Sequence, residues 1–266
     1  MKTVGWIPFT IILCVSLGLF RGEFVAQSTG QIDELVRTSH IVFVGKVARL
    51  HATNLKALRP TDSMVLVRVI EVLDAPPSVA SLKGEEVTVQ VARTGEIEQN
   101  STEVFFSNGL LFGEHLAVKE VGHIPAPTDT AQLQKEISAV RAQMDEEKLK
   151  LRLNGATLVI TGKVLEVKPL GRTGLRSEHE PDWAEAVVEI EAVEKGSWKD
   201  RTVPVVFPQS MDERWLLSPK FTRGETGIWF LRHEEHVGLP ADNWFALSAL
   251  DFHPLEQREF IRRLLR

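Results

Sequence analysis

Residues 41–47 read IVFVGKV, and residues 158–164 read LVITGKV. In each stretch four residues that are apolar or β-branched precede a Gly-Lys-Val triplet. A run that is apolar on both faces predicts a buried β-strand, and a glycine inside it predicts a bulge or a sharp bend. Because both halves of the chain carry this strand, the sequence predicts a duplicated domain.

Further blocks on either side of these strands extend the repeat. They pair VLVRVIEVLD (65–74) with AVVEIEAVEKG (186–196), KGEEVTVQVA (83–92) with KDRTVPVVFP (199–208), and FGEHLAVKEV (112–121) with RGETGIWFLRH (223–233). Alternation of β-branched and polar residues is typical of strands with one buried face. The pattern predicts a mainly β chain with two tandem OB-like five-stranded β-barrels, and two β-sandwiches are the alternative.

Helical spacing of apolar residues predicts flanking helices. One follows the first barrel around residues 130–144, a second leads into the second barrel from residue 145, and another ends the chain after Pro254. The predicted domain boundaries are therefore 29–143 for the first barrel with its trailing helix and 144–266 for the second with its C-terminal helix.

The first 28 residues have the pattern of a secretory signal peptide. Lys2 precedes an apolar run from Val4 to Phe20, and small residues flank a cleavage position after Ser28. We expect a secreted or periplasmic protein without stable membrane insertion after cleavage. The alternative is an uncleaved N-terminal membrane anchor, although the run lies at the short limit for a span.

The composition indicates how the fold is stabilised and which partners are disfavoured. The only cysteine, Cys14, lies in the predicted signal peptide, so the mature chain is expected to fold without disulfides. The formal net charge is −5, and a mildly acidic chain does not favour nucleic acid, whose phosphates require Lys and Arg.

These strand motifs resemble the netrin and tissue-inhibitor-of-metalloproteinases module found in exported bacterial proteins. The similar features are the two G-K-V strands, the V-x-V strands at 87–89 and 203–205, and the Gly-Glu pairs at 113–114 and 224–225. The resemblance implies a barrel in an exported, non-catalytic protein. The inhibitors act through an N-terminal cysteine that chelates the protease zinc, and the predicted mature chain has no cysteine, so this mechanism is not implied.

The densest cluster of reactive side chains is His-Glu-Glu-His at 233–236, which is predicted to lie at the mouth of a hairpin. Positions i and i+3 of a straight strand face opposite sides, so His233 and His236 share a metal only if the strand ends between them. With Glu235 they form a candidate metal site. Residues 119–127, taken as the matching stretch of the first half, do not reproduce the cluster.

No nucleophile motif or phosphate-binding glycine loop occurs in the sequence, so we predict no catalytic residue and no cofactor. The predicted function is an exported, non-enzymatic binding protein that recognises a protein or envelope component through loops such as 51–62 and 171–182. The alternatives are a metal-binding protein or metal-dependent hydrolase that uses residues 233–236, and a protease-inhibitor-like module without the chelating cysteine.

Overall fold

The computed structural model describes residues 21–93, 95–170, 181–236 and 239–266, and only the backbone of residues 21–29. The predicted signal peptide therefore lies outside the described residues, apart from the backbone of residues 21–28. Most of the predicted loop 171–182 also lies outside them. The chain divides into two compact units, Met1–Met144 (unit 1) and Asp145–Arg266 (unit 2), next to the boundary predicted at residue 143.

The chain is mainly β, as predicted. The described α-helices are α1 (Arg21–Thr38), α2 (Ala131–Gly155) and α3 (Arg258–Leu264). The strands of unit 1 are β1 (Ile41–Leu50), β2 (Met64–Asp74), β3 (Glu86–Gln90), β4 (Thr102–Phe112) and β5 (Leu116–Pro125). Those of unit 2 are β6 (Leu158–Pro169), β7 (Trp183–Lys195), β8 (Thr202–Pro208), β9 (Thr226–His233), β10 (Trp244–Phe245) and β11 (Phe252–His253).

Unit 1 is a closed five-stranded barrel with the strand order β1-β2-β3-β5-β4. The β3–β5 pair is parallel, and the other pairs are antiparallel. Alternate residues of each strand point inward, because successive Cβ atoms of a strand face opposite sides. On β2 these are Val65, Val67 and Val69, which are buried in the barrel with Phe43 of β1 and Phe105 of β4.

Unit 2 repeats this cycle of strand pairings. Its six-stranded sheet has the order β10-β8-β7-β6-β9-β11, and an additional pairing of β10 with β9 completes the cycle. β10 is parallel to β8 and antiparallel to β9. Only two residues of β10 form these pairs, and β11 continues along β9 after a short 3₁₀ turn, Ala249–Asp251. The single long strand β5 of unit 1 therefore corresponds to two short strands in unit 2.

Bulges recur at equivalent positions in the two units. The pairing register between the first two strands, β1 with β2 and β6 with β7, shifts three times in each unit. In unit 1 the shifts lie between Val42/Phe43, Val44/Gly45 and Val47/Arg49, and in unit 2 between Val159/Ile160, Thr161/Gly162 and Val164/Glu166. One of the three lies directly before the glycine of the G-K-V motif, which confirms the bulge that the sequence predicted there.

The two glycines are needed because the neighbouring strand approaches closely. A Cβ atom at Gly45 would lie 2.3 Å from Cγ1 of Val67, and a Cβ at Gly162 would lie 2.9 Å from Cγ1 of Val188 and 2.3 Å from the carbonyl oxygen of Glu189. Real Cβ atoms do not approach other heavy atoms this closely. The glycine therefore permits the bend by which the first strand crosses the second.

Helices cover the outer face of the first and fourth strands in each unit. In unit 1, Val36 of α1 and Ile137 of α2 pack against Phe106 of β4. In unit 2, Leu153 of α2 and Ile261 of α3 pack against Phe230 of β9 in the same way. Each unit thus has a leading and a trailing helix.

The two helices predicted between the barrels are one continuous helix, α2. The segment contains neither proline nor glycine between its first residue and Gly155, so nothing in the local sequence ends the helix at residue 143. The predicted domain boundary therefore lies inside a helix. Among the described residues, none of the helices combines the length and hydropathy that a membrane span requires.

The predicted match between residues 112–121 and 223–233 is wrong. β9 pairs with β6 in the register in which β4 pairs with β1. This register places Thr102 opposite Lys46 in unit 1 and Thr226 opposite Lys163 in unit 2. The counterpart of β9 is therefore β4, and the counterpart of β5 is the β10–β11 pair.

β4 was not predicted from the sequence, because its centre has the composition of a turn. Asn108-Gly109 is the dipeptide that most strongly indicates a two-residue hairpin loop, yet here it lies within a strand. The register of β4 on β5 shifts between Gly109 and Leu111, so this glycine lies at a bulge. The ring of Phe112 occupies the space that a Cβ at Gly109 would need.

We predict that Gly162→Ala lowers the free energy of unfolding by about 1–3 kcal/mol, the usual cost of overpacking. Gly45→Ala should cost less, because the methyl group of Val67 can move further than the backbone carbonyl of Glu189. Chemical denaturation of the purified chain measures both effects. Gly113→Ala is the matched control, since a Cβ there meets no atom within 4 Å. Equal stability of all three variants would contradict the proposed role of the two glycines.

Candidate functional site

The His-Glu-Glu-His cluster lies at the mouth of the β9–β10 hairpin, where the sequence placed it. β9 ends at His233, and this residue pairs with Trp244, the first residue of β10. The sister hairpin of unit 1 joins β4 to β5 and contains Glu114 and His115. The comparison with residues 119–127 used the wrong stretch, because it followed the mistaken match of β9 with β5.

The two histidines contact different residues. Nδ1 of His233 lies 3.0 Å from the carbonyl oxygen of Asn243, and its ring centroid lies 3.8 Å from that of Trp244. The ring of His236 lies 4.8 Å from that of Phe245. Trp244 packs in the barrel core and Phe245 in a separate outer cluster, so the rings lie beside opposite faces of β10.

The structure does not bring the three candidate metal ligands together. Glu235 is exposed, whereas Nε2 of His236 is buried and lies 3.5 Å from a carboxylate oxygen of Glu234. Within the described ranges, no group of three or more His, Cys, Asp or Glu side chains could hold a metal ion. The geometry therefore gives no support to a metal site at His233, Glu235 and His236.

A different acid–base pair lies on β5 of unit 1, and the sequence analysis did not identify it. Nδ1 of His123 and Oε1 of Glu120 form a hydrogen bond, and Oε2 of Glu120 accepts a second one of 2.8 Å from the backbone N–H of Ala92. The Glu120 side chain is 2% exposed and that of His123 is 14% exposed. A carboxylate buried this deeply requires such partners, because water no longer solvates it.

A bulge brings Glu120 and His123 to the same side of the strand. Glu120 pairs with Ser107 and Gly122 pairs with Phe106, so Val121 is an extra residue on β5. Residues i and i+3 of a regular strand face opposite sides, and the extra residue corrects this parity. Little in the sequence indicates this bulge beyond Gly122, whose missing Cβ leaves room for Leu35 of α1.

The electrostatic surroundings favour the protonated form of His123. Its pKa is raised above the ordinary value of 6.5, chiefly by the hydrogen bond to Glu120. Burial acts in the opposite direction, while the charges of Glu120, Glu103 and Glu96 add to the increase. Oε2 of Glu103 is itself buried and has no hydrogen-bond partner in the described part of the chain.

Unit 2 has apolar residues where unit 1 carries these charges. His123 pairs with Phe105, and at the equivalent place Phe252 pairs with Trp229. The same registers show which residues are equivalent in the two units. Glu120 of unit 1 corresponds to Ala246 of unit 2, and Glu103 corresponds to Gly227. A Cβ at Gly227 would lie 2.2 Å from the ring of Phe252, which fills the space of the missing side chain.

The two units thus differ at the same structural position. Unit 1 has charged side chains there, and unit 2 has apolar ones. A phenylalanine ring packs there in unit 2 without any charge, so the fold itself does not require buried carboxylates. Burial of charged groups is costly even when they are paired. We interpret Glu103, Glu120 and His123 as residues kept for their chemistry, and we take them as the candidate functional site.

The pair opens onto a cavity of about 290 Å³ between α1, β5 and the segment after β3. Its charged and polar lining comprises Gln31, Arg93, Glu96, Glu120 and His123. The guanidinium of Arg93 donates a hydrogen bond of 3.1 Å to Glu96. Two pairs of opposite charge, one buried and one exposed, therefore face the same space.

We predict that His123→Gln lowers stability most strongly at acid pH. The raised pKa means that protonated His123 stabilises the folded chain fully below pH 6.5, and that this contribution is lost as the pH rises through the pKa of the folded state. Denaturation of the wild type and the variant at pH 6 and pH 9 should show a difference that shrinks towards pH 9. His115→Gln, at an exposed histidine, is the control. A difference that grows with pH would contradict the assigned protonation.

Comparisons of this chain with protein-family models and with curated proteins found no match. The candidate site is therefore interpreted from its own residues and from the comparison between the two units.

Proposed function

We propose that this chain is an exported, non-catalytic binding protein of two OB-like barrels and that the unit 1 cavity binds a small zwitterion. The observation that carries the proposal is the presence of two ion pairs, Glu120–His123 and Arg93–Glu96, around one cavity. The corresponding residues of unit 2 show that an apolar closure of the barrel is available to this fold.

Charge complementarity favours a ligand with both signs of charge. His123 uses Nδ1 for Glu120, so Nε2 is the ring atom left to donate to an anionic group. Arg93 offers a second donor, while the more exposed carboxylate of Glu96 offers an acceptor to a cationic group. A ligand of a single charge would meet one attractive and one repulsive member in each pair, whereas a small zwitterion can satisfy both.

Binding rather than catalysis agrees with the residues that line the cavity. The described lining contains no Ser, Thr, Cys or Lys that could act as a nucleophile. The raised pKa of His123 also favours the protonated ring, in which Nε2 donates a hydrogen bond and cannot act as a base. Each carboxylate oxygen of Glu120 already accepts a hydrogen bond, one from His123 and one from the N–H of Ala92, so this side chain holds the ring in place.

The test is titration of the exported form of the chain with glycine, β-alanine and glycine betaine, followed by the NMR signals of the His123 ring and by calorimetry. Acetate and methylammonium serve as probes of single charge. We expect at least one zwitterion to bind about tenfold or more tightly than either single-charge probe, since glycine and β-alanine gain a second charge-assisted hydrogen bond and glycine betaine gains a second ionic contact. Equal affinity for all probes would contradict the proposal.

A variant that copies unit 2 is the matched control. Glu103→Gly, Glu120→Ala and His123→Phe together reproduce Gly227, Ala246 and Phe252. The glycine is included because a side chain there would collide with the new ring. We expect this triple variant to remain folded, with a Tm at least equal to that of the wild type at pH 9, and to lose zwitterion binding. Retained binding would show that the ligand lies elsewhere.

A further inference from the structure

The loop between β8 and β9, residues 209–225, exposes apolar side chains in unit 2. The exposed fractions are 74% for Met211, 52% for Leu216 and 79% for Leu217. The loop that joins the equivalent strands in unit 1, residues 91–101, is six residues shorter. Ile97 of the unit 1 loop and Phe221 of the unit 2 loop are both buried in the core of their unit, and each lies five positions before the next strand. The extra length of the unit 2 loop therefore lies before Phe221 and carries the exposed side chains.

Hydrogen bonds from polar side chains fix the backbone of this loop. Ser210 and Asp212 accept from backbone N–H groups, and Asp212 thereby caps a 3₁₀ turn that spans Glu213–Trp215. Ser218 donates a hydrogen bond of 2.6 Å to the carbonyl oxygen of Leu247. The ammonium group of Lys220 donates to the carbonyl oxygens of Trp215 and Ser218, and its burial lowers the pKa of Lys220.

The exposure of the two leucines is therefore built into the fold. A loop that is free to collapse would turn Leu216 and Leu217 inward, because removal of apolar surface from water is favourable. Here hydrogen bonds hold the residue on each side of the two leucines. The backbone carbonyl of Trp215 accepts one from Lys220, and the hydroxyl of Ser218 donates one to Leu247. The leucines consequently point into water in the isolated chain.

We propose that Met211, Leu216 and Leu217, called here the apolar prong, dock this protein on the surface of a lipid bilayer. Three side chains supply far less than the roughly 800 Å² per partner that a stable protein interface buries. Acyl chains need no matching surface, so projecting side chains can enter them singly. Trp215, half-buried behind the prong with the guanidinium of Arg214 5.3 Å from its ring centroid, has the amphipathic character of residues at the headgroup level.

The charges of the loop predict how docking depends on the lipid. Residues 209–225 contain three acidic and three basic side chains, which balance. Insertion should therefore depend on the apolar side chains and not on attraction to anionic headgroups. Vesicles of phosphatidylcholine and of a phosphatidylethanolamine and phosphatidylglycerol mixture are expected to bind with similar strength, and added salt should change binding little.

The test places a polarity-sensitive NBD label at Met211→Cys in a Cys14→Ser background, so that the label is the only modified site. Addition of either type of vesicle should shift its emission to the blue. The same label at Leu151→Cys is the matched control, because Leu151 is an apolar residue that is 73% exposed and belongs to α2 and not to this loop. Leu216→Ser with Leu217→Ser should weaken the partition measured with the label at position 211 about tenfold or more.

Three outcomes would overturn the proposal. The first is an equal shift at positions 211 and 151, which would report adsorption without a preferred face. The second is unchanged partition of the double serine variant, whose folding is checked by circular dichroism. The third is a blue shift that grows with protein concentration when vesicles are omitted, which would assign the prong to a contact between copies of this chain.

Discussion

The close contact between the first and second strands constrains the sheet of each unit. Gly45 and Gly162 lie where a Cβ atom would collide with a valine of the neighbouring strand. Without a side chain at this position the first strand can bulge, bend and continue to its other partner, so one strand pairs with two others in a small closed sheet. The equivalent bulges in the two units follow from this one steric requirement.

The fold could be predicted from the sequence where local pattern and tertiary role agree. Alternating valines at 65–69 identified β2, and the G-K-V motif identified the bulge. The prediction was wrong where the two conflict. Asn108-Gly109 has the composition of a turn but lies in β4, and the order of strands around the barrel overrides this local preference. With β4 missed, β9 was matched to β5, and the wrong sister hairpin was compared with residues 233–236.

The candidate site was missed for a related reason. Reasoning from strand parity separated His233 from His236, and the structure places their rings beside opposite faces of β10. The same reasoning would have separated Glu120 from His123, yet these residues form a hydrogen bond because Val121 is an extra residue on β5. A bulge depends on the partner strand, so parity along a single strand cannot reveal which i, i+3 pairs meet.

The repeated cycle of strand pairings provides an internal comparison between the two units. Where the two units have the same residues, as at the G-K-V glycines, the steric requirements of the fold explain why those residues are there. Where they differ, the simpler unit shows what the fold can accept. Phe252 in unit 2 shows that the buried charges of unit 1 are not needed for packing. The short loop 91–101 shows in turn that the exposed leucines of unit 2 are not needed to join two strands. Each unit therefore carries one costly feature that its sister does without, and those two features are the places where function is best sought.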